Sequence, residues 1–124
     1  KADGAAGKIG NPIPARVLGR VEIGEPDLAY TDTFIGIGCF DTLDEVEACR
    51  KYVMSRFART MLCTIKVTHD NSKELWANVP LQDFSSSSDI DWSLNISDID
   101  RQLFTKYGLT NDEIHFVESM VKPI

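Results

Sequence analysis

The longest patterned segment of this chain covers residues 31–66 and reads TDTFIGIGCFDTLDEVEACRKYVMSRFARTMLCTIK. Its first part, residues 33–40, is a short run of β-branched and aromatic residues, which predicts a β-strand. The remainder predicts one long helix over residues 43–65. Thr42 followed by Glu45 is a capping-box pattern, and apolar residues recur at helical spacing, namely Val46, Cys49, Val53, Phe57 and Met61.

The second half of this predicted helix and the loop after it are basic, although the whole chain has a net charge of −6. Residues 50–73 hold six basic residues and one acidic residue, Asp70. Arg56 and Arg59 are three residues apart and therefore share one face of a helix. That face could lie on a phosphate backbone. The alternative, which composition alone favours, is a solvated surface whose charges suit the helix dipole.

The flanking segments predict smaller elements. Residues 1–14 are rich in glycine and proline and predict a flexible loop or linker. Residues 16–23 alternate weakly and suit an edge strand, and residues 76–84 suit a short extended segment. Two helix-start patterns follow, Ser97 with Asp100 and Thr110 with Glu113, and they predict a helical hairpin over residues 97–122.

Together these patterns predict one α+β domain over residues 1–124. It has a small mixed sheet packed on one long central helix, with a C-terminal helical hairpin. Its predicted parts are a flexible loop or linker (1–14), an α/β core (15–84), a loop (85–96) and the hairpin (97–122). A length of 124 residues suits a single domain, and the start at Lys1 favours a fragment of a larger protein.

The cysteines and histidines form no pattern of a metal or disulfide site. Cys39, Cys49 and Cys63 contain no C-x-x-C pair, which predicts buried thiols in a reducing, cytoplasmic compartment. Neither histidine has a neighbour at ligand spacing, so no metal site is predicted. No apolar run reaches the roughly 20 residues that a membrane helix needs, and no signal-peptide pattern is present.

Two short matches to methyltransferase motifs stand in the wrong context for catalysis. Residues 34–38 look like an F-x-G-x-G cofactor loop, but four residues separate the last glycine from the helix. Residues 11–14 look like an N-P-P-Y adenine clamp, but Pro14 stands where an aromatic residue is needed. No D/E-x-K follows Pro26-Asp27, as a metal-dependent nuclease would require. The chain is therefore predicted to be non-catalytic.

Several motifs resemble the C-terminal region of bacterial restriction-modification proteins, which are adenine-specific DNA methyltransferases, often fused to type IIG-like restriction endonucleases. The most specific are V-P-L-Q-D-F at residues 79–84 and K-Y-G-L-T at residues 106–110. Further similar segments at 25–38, 88–93 and 114–118 extend the resemblance over nearly the whole chain.

This resemblance implies a target recognition domain, which reads DNA sequence and does no chemistry. The implied partners are double-stranded DNA and a preceding methyltransferase domain of the same chain. The resemblance implies no cofactor in this chain. In the parent protein it implies S-adenosylmethionine, and Mg²⁺ where that parent also cleaves DNA.

Charge and loop placement give the candidates for DNA contact, since phosphate contacts supply affinity and base-edge contacts supply specificity. The phosphate candidates are Lys8, Arg16, Arg56, Arg59 and Lys66, and the base-edge candidates are Arg20, Thr31, His69, Asn71 and Lys73. The alternative function is a protein–protein docking module between methyltransferase and nuclease parts. Residues 83–124 hold eight acidic and three basic residues, and their helices would be its contact.

Overall fold

A computed structural model describes residues 14–65 and 72–124 of the chain. In these two ranges it has five helices: α1 (Leu43–Met54), α2 (Arg56–Ile65), α3 (Lys73–Trp76), α4 (Ile96–Lys106) and α5 (Asn111–Met120). The same ranges contain no strand, and one isolated parallel bridge joins Ala15 to Val121. The predicted α+β fold with a small mixed sheet is therefore wrong, because the described chain is mostly helical.

Helix α2 lies at the centre of the fold. Helices α1, α3, α4 and α5 all pack against it. Its buried residues point in every direction around the helix axis, as expected of a helix enclosed by its neighbours, and they are Phe57, Ala58, Arg59, Thr60, Leu62 and Cys63. Buried side chains from residues 15–18 and from the 79–92 loop complete the core.

The single long helix predicted for residues 43–65 is two helices, because Ser55 interrupts it. The Ser55 N–H donates to the Tyr52 carbonyl (3.0 Å) at the end of α1, and its Oγ accepts from the Ala58 N–H (3.1 Å) at the start of α2. Asp100 of α4 then accepts the N–H groups of Arg56 (3.1 Å) and Phe57 (2.9 Å). These donors have no partner within α2 itself, so the carboxylate caps the second helix from outside.

Most of the predicted helix ends are confirmed. Thr42 caps α1 by accepting from the Glu45 N–H, and Thr110 with Glu113 forms a complete capping box on α5. Helix α4 begins two residues earlier than a Ser97 cap would place it, because the Asn95 side chain accepts from the Asp98 N–H. At its other end Gly108 has a φ of +66° and closes a two-bond Schellman motif, as predicted for a glycine that ends a helix.

None of the three segments predicted to be extended forms a strand. Residues 33–40 are irregular and residues 33–39 are exposed, because a strand needs a neighbour to pair with its backbone. Residues 16–23 also form no strand, and in the segment 76–84 Trp76 ends the short helix α3, residues 77–78 form a turn and residues 80–84 belong to no helix or strand. The prediction of three buried thiols holds for Cys49 and Cys63 but is wrong for Cys39, which is exposed with the rest of its segment.

The two most specific sequence motifs contact each other in the fold. The Gln82 amide donates to the Tyr107 hydroxyl (2.7 Å) and accepts from Lys106 Nζ (3.0 Å). The Trp92 indole N–H donates to the Asp83 carbonyl (2.9 Å), and the Tyr52 hydroxyl donates to the Pro80 carbonyl. The motifs at 79–84 and 106–110 therefore hold the loop before α4 against the helices.

None of the helices in the described ranges is long and apolar enough to cross a membrane.

Candidate nucleic-acid interface

Four of the ten predicted DNA-contact residues, Lys8, Lys66, His69 and Asn71, lie outside the described residues. The other six fall into two groups that the structure separates. Arg16, Arg56 and Arg59 lie near the junction of α1 and α2, where Arg16 is exposed, Arg56 half-buried and Arg59 buried. Arg20, Thr31 and Lys73 are exposed in loops or at the start of α3.

Arg59 lies in the interior of the protein and is fully buried. Its Nε donates to the carbonyls of Met54 (3.0 Å) and Ser55 (3.2 Å), which end helix α1. Its Nη1 donates to the carbonyl of Arg16 (3.0 Å) and so ties residues 15–18 to the helix junction. In this conformation Arg59 has no surface on which a phosphate could bind.

The charge of Arg59 is balanced inside the protein by Asp100, which caps α2. Burial lowers the pKa of the Arg59 guanidinium to about 10, and the nearby Asp100 carboxylate opposes that shift. Burial also raises the pKa of Asp100, while the N–H groups of Phe57 and Arg56 and the guanidinium of Arg59 favour its charged form. The guanidinium of Arg59, with these partners, therefore stabilises the junction between α1 and α2.

Arg56 is half-buried, and its Nε donates to the carbonyl of Val121 (3.1 Å) at the end of α5. Cationic donors at the last carbonyls of a helix stabilise its C-terminal end. Arg56 and Arg59 thus act on the ends of α5 and α1 respectively. They do not form the shared phosphate face expected of a continuous helix.

The base-edge candidates among the described residues have exposed side chains that a ligand could reach. Arg20 is exposed over 85% of its side chain and pairs with Glu22 (3.0 Å). Thr31 shares a hydroxyl hydrogen bond with Thr33 (2.8 Å), and Lys73 is exposed at the first position of α3. Arg20 also lines a surface depression together with a second basic residue, Arg50.

Arg20, Arg50 and Lys51 form a group that we call the basic cluster. Arg20 and Arg50 line one shallow depression with Glu22, and Arg50 and Lys51 line a second. The two depressions share Arg50 and therefore adjoin. The second one also includes Asn95, Ile96 and Ser97 at the N-terminal end of α4, where backbone N–H groups and the helix dipole favour an anion.

Lys51 holds a defined position in this cluster. Its Nζ donates to the carbonyls of Trp92 (2.7 Å), Leu94 (3.0 Å) and Ser93 (3.3 Å), in the loop that leads into α4. Its charge therefore stays fixed beside the start of that helix. An ammonium has three N–H donors, and all three point to these carbonyls, so Lys51 offers a phosphate its positive charge and not a hydrogen bond.

The arginines of the basic cluster are paired with carboxylates that a phosphate could replace. Arg50 pairs with Glu47 (2.9 Å), and both side chains are about 40% exposed. Exposed ion pairs contribute only about 0–1 kcal/mol, so little is lost when one partner exchanges. The pairs of Arg20 and Arg50 are thus weak enough to rearrange around a polyanion.

The sequence pattern contains Arg50 and Lys51 within the basic run but does not connect them to Arg20. That connection arises because residues 20–23 pass beside α1, which is a tertiary contact. For the basic cluster the sequence itself shows only that Arg50 and Lys51 are adjacent basic residues in the middle of α1. In the structure both are less buried than Tyr52 and Val53 beside them.

Within residues 14–65 and 72–124, no group of three or more histidine, cysteine or acidic residues is placed to hold a metal ion. Comparison of the chain with family models, with curated proteins and with solved structures finds no match.

Proposed function

We propose that this chain is a non-catalytic DNA target recognition domain of an adenine-specific DNA methyltransferase or restriction-modification enzyme. It would give that enzyme sequence-specific binding to double-stranded DNA. Methyl transfer, with S-adenosylmethionine, belongs to the preceding domain of the parent protein, and cleavage with Mg²⁺ belongs to a nuclease part where the parent has one. The setting is the bacterial cytoplasm.

The basic cluster is the observation that carries this proposal. Arg20, Arg50 and Lys51 lie around two adjoining depressions, beside the N-terminal end of α4. Phosphates are bound by such combinations of cationic side chains and helix N-termini. We therefore assign the phosphate contacts to the basic cluster instead of to Arg56 and Arg59.

The motifs that carry the resemblance also support the proposal. Gln82 hydrogen-bonds to both Lys106 and Tyr107, and these bonds hold the loop before α4 in place. A recognition domain needs such a fixed scaffold, on which exposed loops can vary with the DNA site. The base-edge candidates Arg20, Thr31 and Lys73 are exposed on this scaffold, and they keep that role in the proposal.

The proposal is tested by the salt dependence of DNA binding in the intact parent protein. The variant is Arg20→Ala with Arg50→Ala, and the probe is a duplex of mixed sequence at low salt, since phosphate contacts do not require the specific site. The slope of log K against log salt concentration is negative, and each lost phosphate contact makes it less negative by about 0.9. The slope of the double variant should therefore be less negative by about 1.8.

The matched control is Arg101→Ala with Lys122→Ala, which removes the same charge elsewhere. Arg101 pairs with Asp98 at the same i,i+3 spacing as the pair of Arg50 with Glu47. The control should leave the slope unchanged. Equal slopes for both double variants, or an unchanged slope in the Arg20/Arg50 variant, would contradict the assignment.

A second candidate function is a docking module between methyltransferase and nuclease parts, with the C-terminal helices as the contact. The observation in its favour is Phe116 on α5, which is about half exposed, with the acidic Asp112 and Glu113 one turn before it. Crosslinking in the parent protein separates the candidates. Docking is supported if residues 97–122 crosslink to protein while DNA crosslinks none of the basic cluster.

A further inference from the structure

Residues 28–40, which we call the apolar segment, expose an unusual amount of hydrophobic surface. Leu28 and Tyr30 are each 62% exposed, and Phe34, Ile35 and Ile37 are exposed as well. In fact every residue from 24 to 39 is exposed. Single exposed apolar residues are common, but several in sequence indicate a surface that another molecule covers.

Most backbone N–H groups of the apolar segment also lack a backbone partner. Within the described residues, no backbone N–H from residue 35 to residue 41 donates to another backbone group, and one turn bond joins the Phe34 N–H to the Thr31 carbonyl (3.0 Å). The sequence from 33 to 40 is uncharged and rich in β-branched and aromatic residues, which favour strands. Apolar side chains and unpaired backbone groups together are the properties of an edge strand.

We propose that residues 33–40 dock as a β-strand onto the edge of a sheet in another polypeptide segment, one that is apolar in its centre and basic at its ends. The backbone hydrogen bonds would supply affinity, as in other cases of β-strand addition. The flanking charges would supply specificity. The inference does not rest on DNA binding, since residues 33–40 contain no residue that is proposed to contact DNA.

The charges at the two ends of the segment decide between a second copy and a different partner. Asp27 and Asp32 precede the uncharged run, and Asp41 and Asp44 follow it. Antiparallel pairing of two copies would bring Asp32 of one copy near Asp41 of the other. Parallel pairing would bring each aspartate near the same aspartate of the other copy. Like charges placed opposite each other destabilise a strand pair, whereas lysine or arginine at the ends of a different strand complements these acids.

The segment can become extended without disturbing the helices. Residues 32–34 form a turn, which would have to open by losing the bond from the Phe34 N–H to the Thr31 carbonyl. Gly38 has a φ of +74°, and glycine moves between positive and negative φ at little cost. The Tyr30 hydroxyl lies over Gly36 and would have to move away. The C-terminal end is fixed, because Phe40 packs edge-on against Phe84 with ring centroids 5.7 Å apart.

The test uses the full 124-residue chain and a labelled peptide with alternating valine and threonine in its centre and lysines at both ends. Binding is followed by fluorescence anisotropy, and hydrogen exchange reports which amides become protected. We expect binding, with exchange slowed about tenfold or more at alternate residues between 35 and 40, because every second N–H of a strand faces its partner. A peptide with the same centre and glutamates at both ends should bind at least about tenfold more weakly.

The variant Gly36→Pro with Ile37→Pro removes two successive N–H donors, and therefore at least one on the side that faces the partner. It should abolish both binding and protection. The control is Ser86→Pro, an exposed position inside the turn closed by the Ser88 N–H and the Ser85 carbonyl (3.2 Å), where proline is favoured. The control should bind the peptide as the unchanged chain does.

Three results would overturn the inference. The first is equal binding of the lysine-ended and glutamate-ended peptides. The second is unchanged binding in the double-proline variant while circular dichroism shows intact helices. The third is a concentration-dependent dimer, found by sedimentation without peptide, in which residues 35–40 are already protected, because this would assign the segment to a second copy.

Discussion

At the scale of single residues, the two arginines of the α1–α2 junction show what sequence spacing does not reveal. Arg56 and Arg59 are three residues apart, which correctly places them on neighbouring positions of one helix. Spacing does not say whether that side of the helix meets water. Because α2 is enclosed by its neighbours, Arg59 is interior and bonds to the carbonyls that end α1.

Arg59 also supports an unusual turn in the segment that precedes α1. The Leu18 N–H donates to the Arg16 carbonyl (2.9 Å) around Val17, whose φ is +72°. A β-branched residue is strained at positive φ, and such a three-residue turn persists only when its surroundings hold it. The bond from Arg59 to the Arg16 carbonyl is one such restraint.

We predict that Arg59→Ala destabilises the protein strongly. The change leaves the carbonyls of Met54, Ser55 and Arg16 without this donor and opens a cavity in the core. The free energy of unfolding should fall by roughly 3 kcal/mol. Urea unfolding followed by circular dichroism measures this value.

The exposed Arg101→Ala variant is the control for this measurement, and its effect should stay within about 0.5 kcal/mol. Equal stability of the two variants would mean that Arg59 is not a structural residue. The phosphate contact first expected of Arg59 would then need to be reconsidered.

At the scale of elements, helix ends could be predicted where a capping residue precedes a clear apolar pattern. Thr110 is such a case and forms both bonds of its capping box, whereas Thr42 accepts from the Glu45 N–H but lacks the reciprocal bond to its own N–H. The end of α4 at Gly108 also has the expected bonds. The break at Ser55 was missed because the apolar spacing continues through it from Val53 to Phe57. The break depends partly on a residue that is distant in the sequence. Asp100, which caps the start of α2, lies more than forty residues later.

We predict that Ser55→Ala lowers the free energy of unfolding by about 1–2 kcal/mol, because it removes the hydroxyl that accepts the Ala58 N–H at a buried helix start. Residual helicity should remain, since Asp100 still accepts the Arg56 and Phe57 N–H groups. Thermal and urea unfolding provide the measurement. Ser97→Ala, at an exposed position in the first turn of α4, is the control and should be nearly neutral.

At the scale of the whole molecule, the predicted sheet failed for a physical reason. The run of residues 33–40 has the composition of a strand, but composition cannot provide the neighbouring strand that a sheet requires. In the described chain that neighbour is absent, and the run stays irregular and exposed. The core formed instead from helices whose apolar faces meet at α2.

The candidate DNA interface also depends on the whole molecule. Arg20 and Arg50 are thirty positions apart in the sequence and meet at one depression because residues 20–23 pass beside α1. Local charge counting therefore finds the basic run but does not distinguish a buried member of it, Arg59, from an accessible one, Arg50. The fold buries Arg59 and leaves Arg20 and Arg50 accessible.

The most direct test of the division between structural and DNA-contacting arginines is photo-crosslinking of the intact parent protein to a duplex, with mass spectrometry to locate the attached residues. A duplex of mixed sequence at low salt is sufficient, because phosphate contacts are independent of sequence. We predict crosslinks in the peptides that contain Arg20 and residues 50–51, and none at Arg59. Crosslinks at Arg59, or DNA attachment to this chain that omits both of those peptides, would contradict the account.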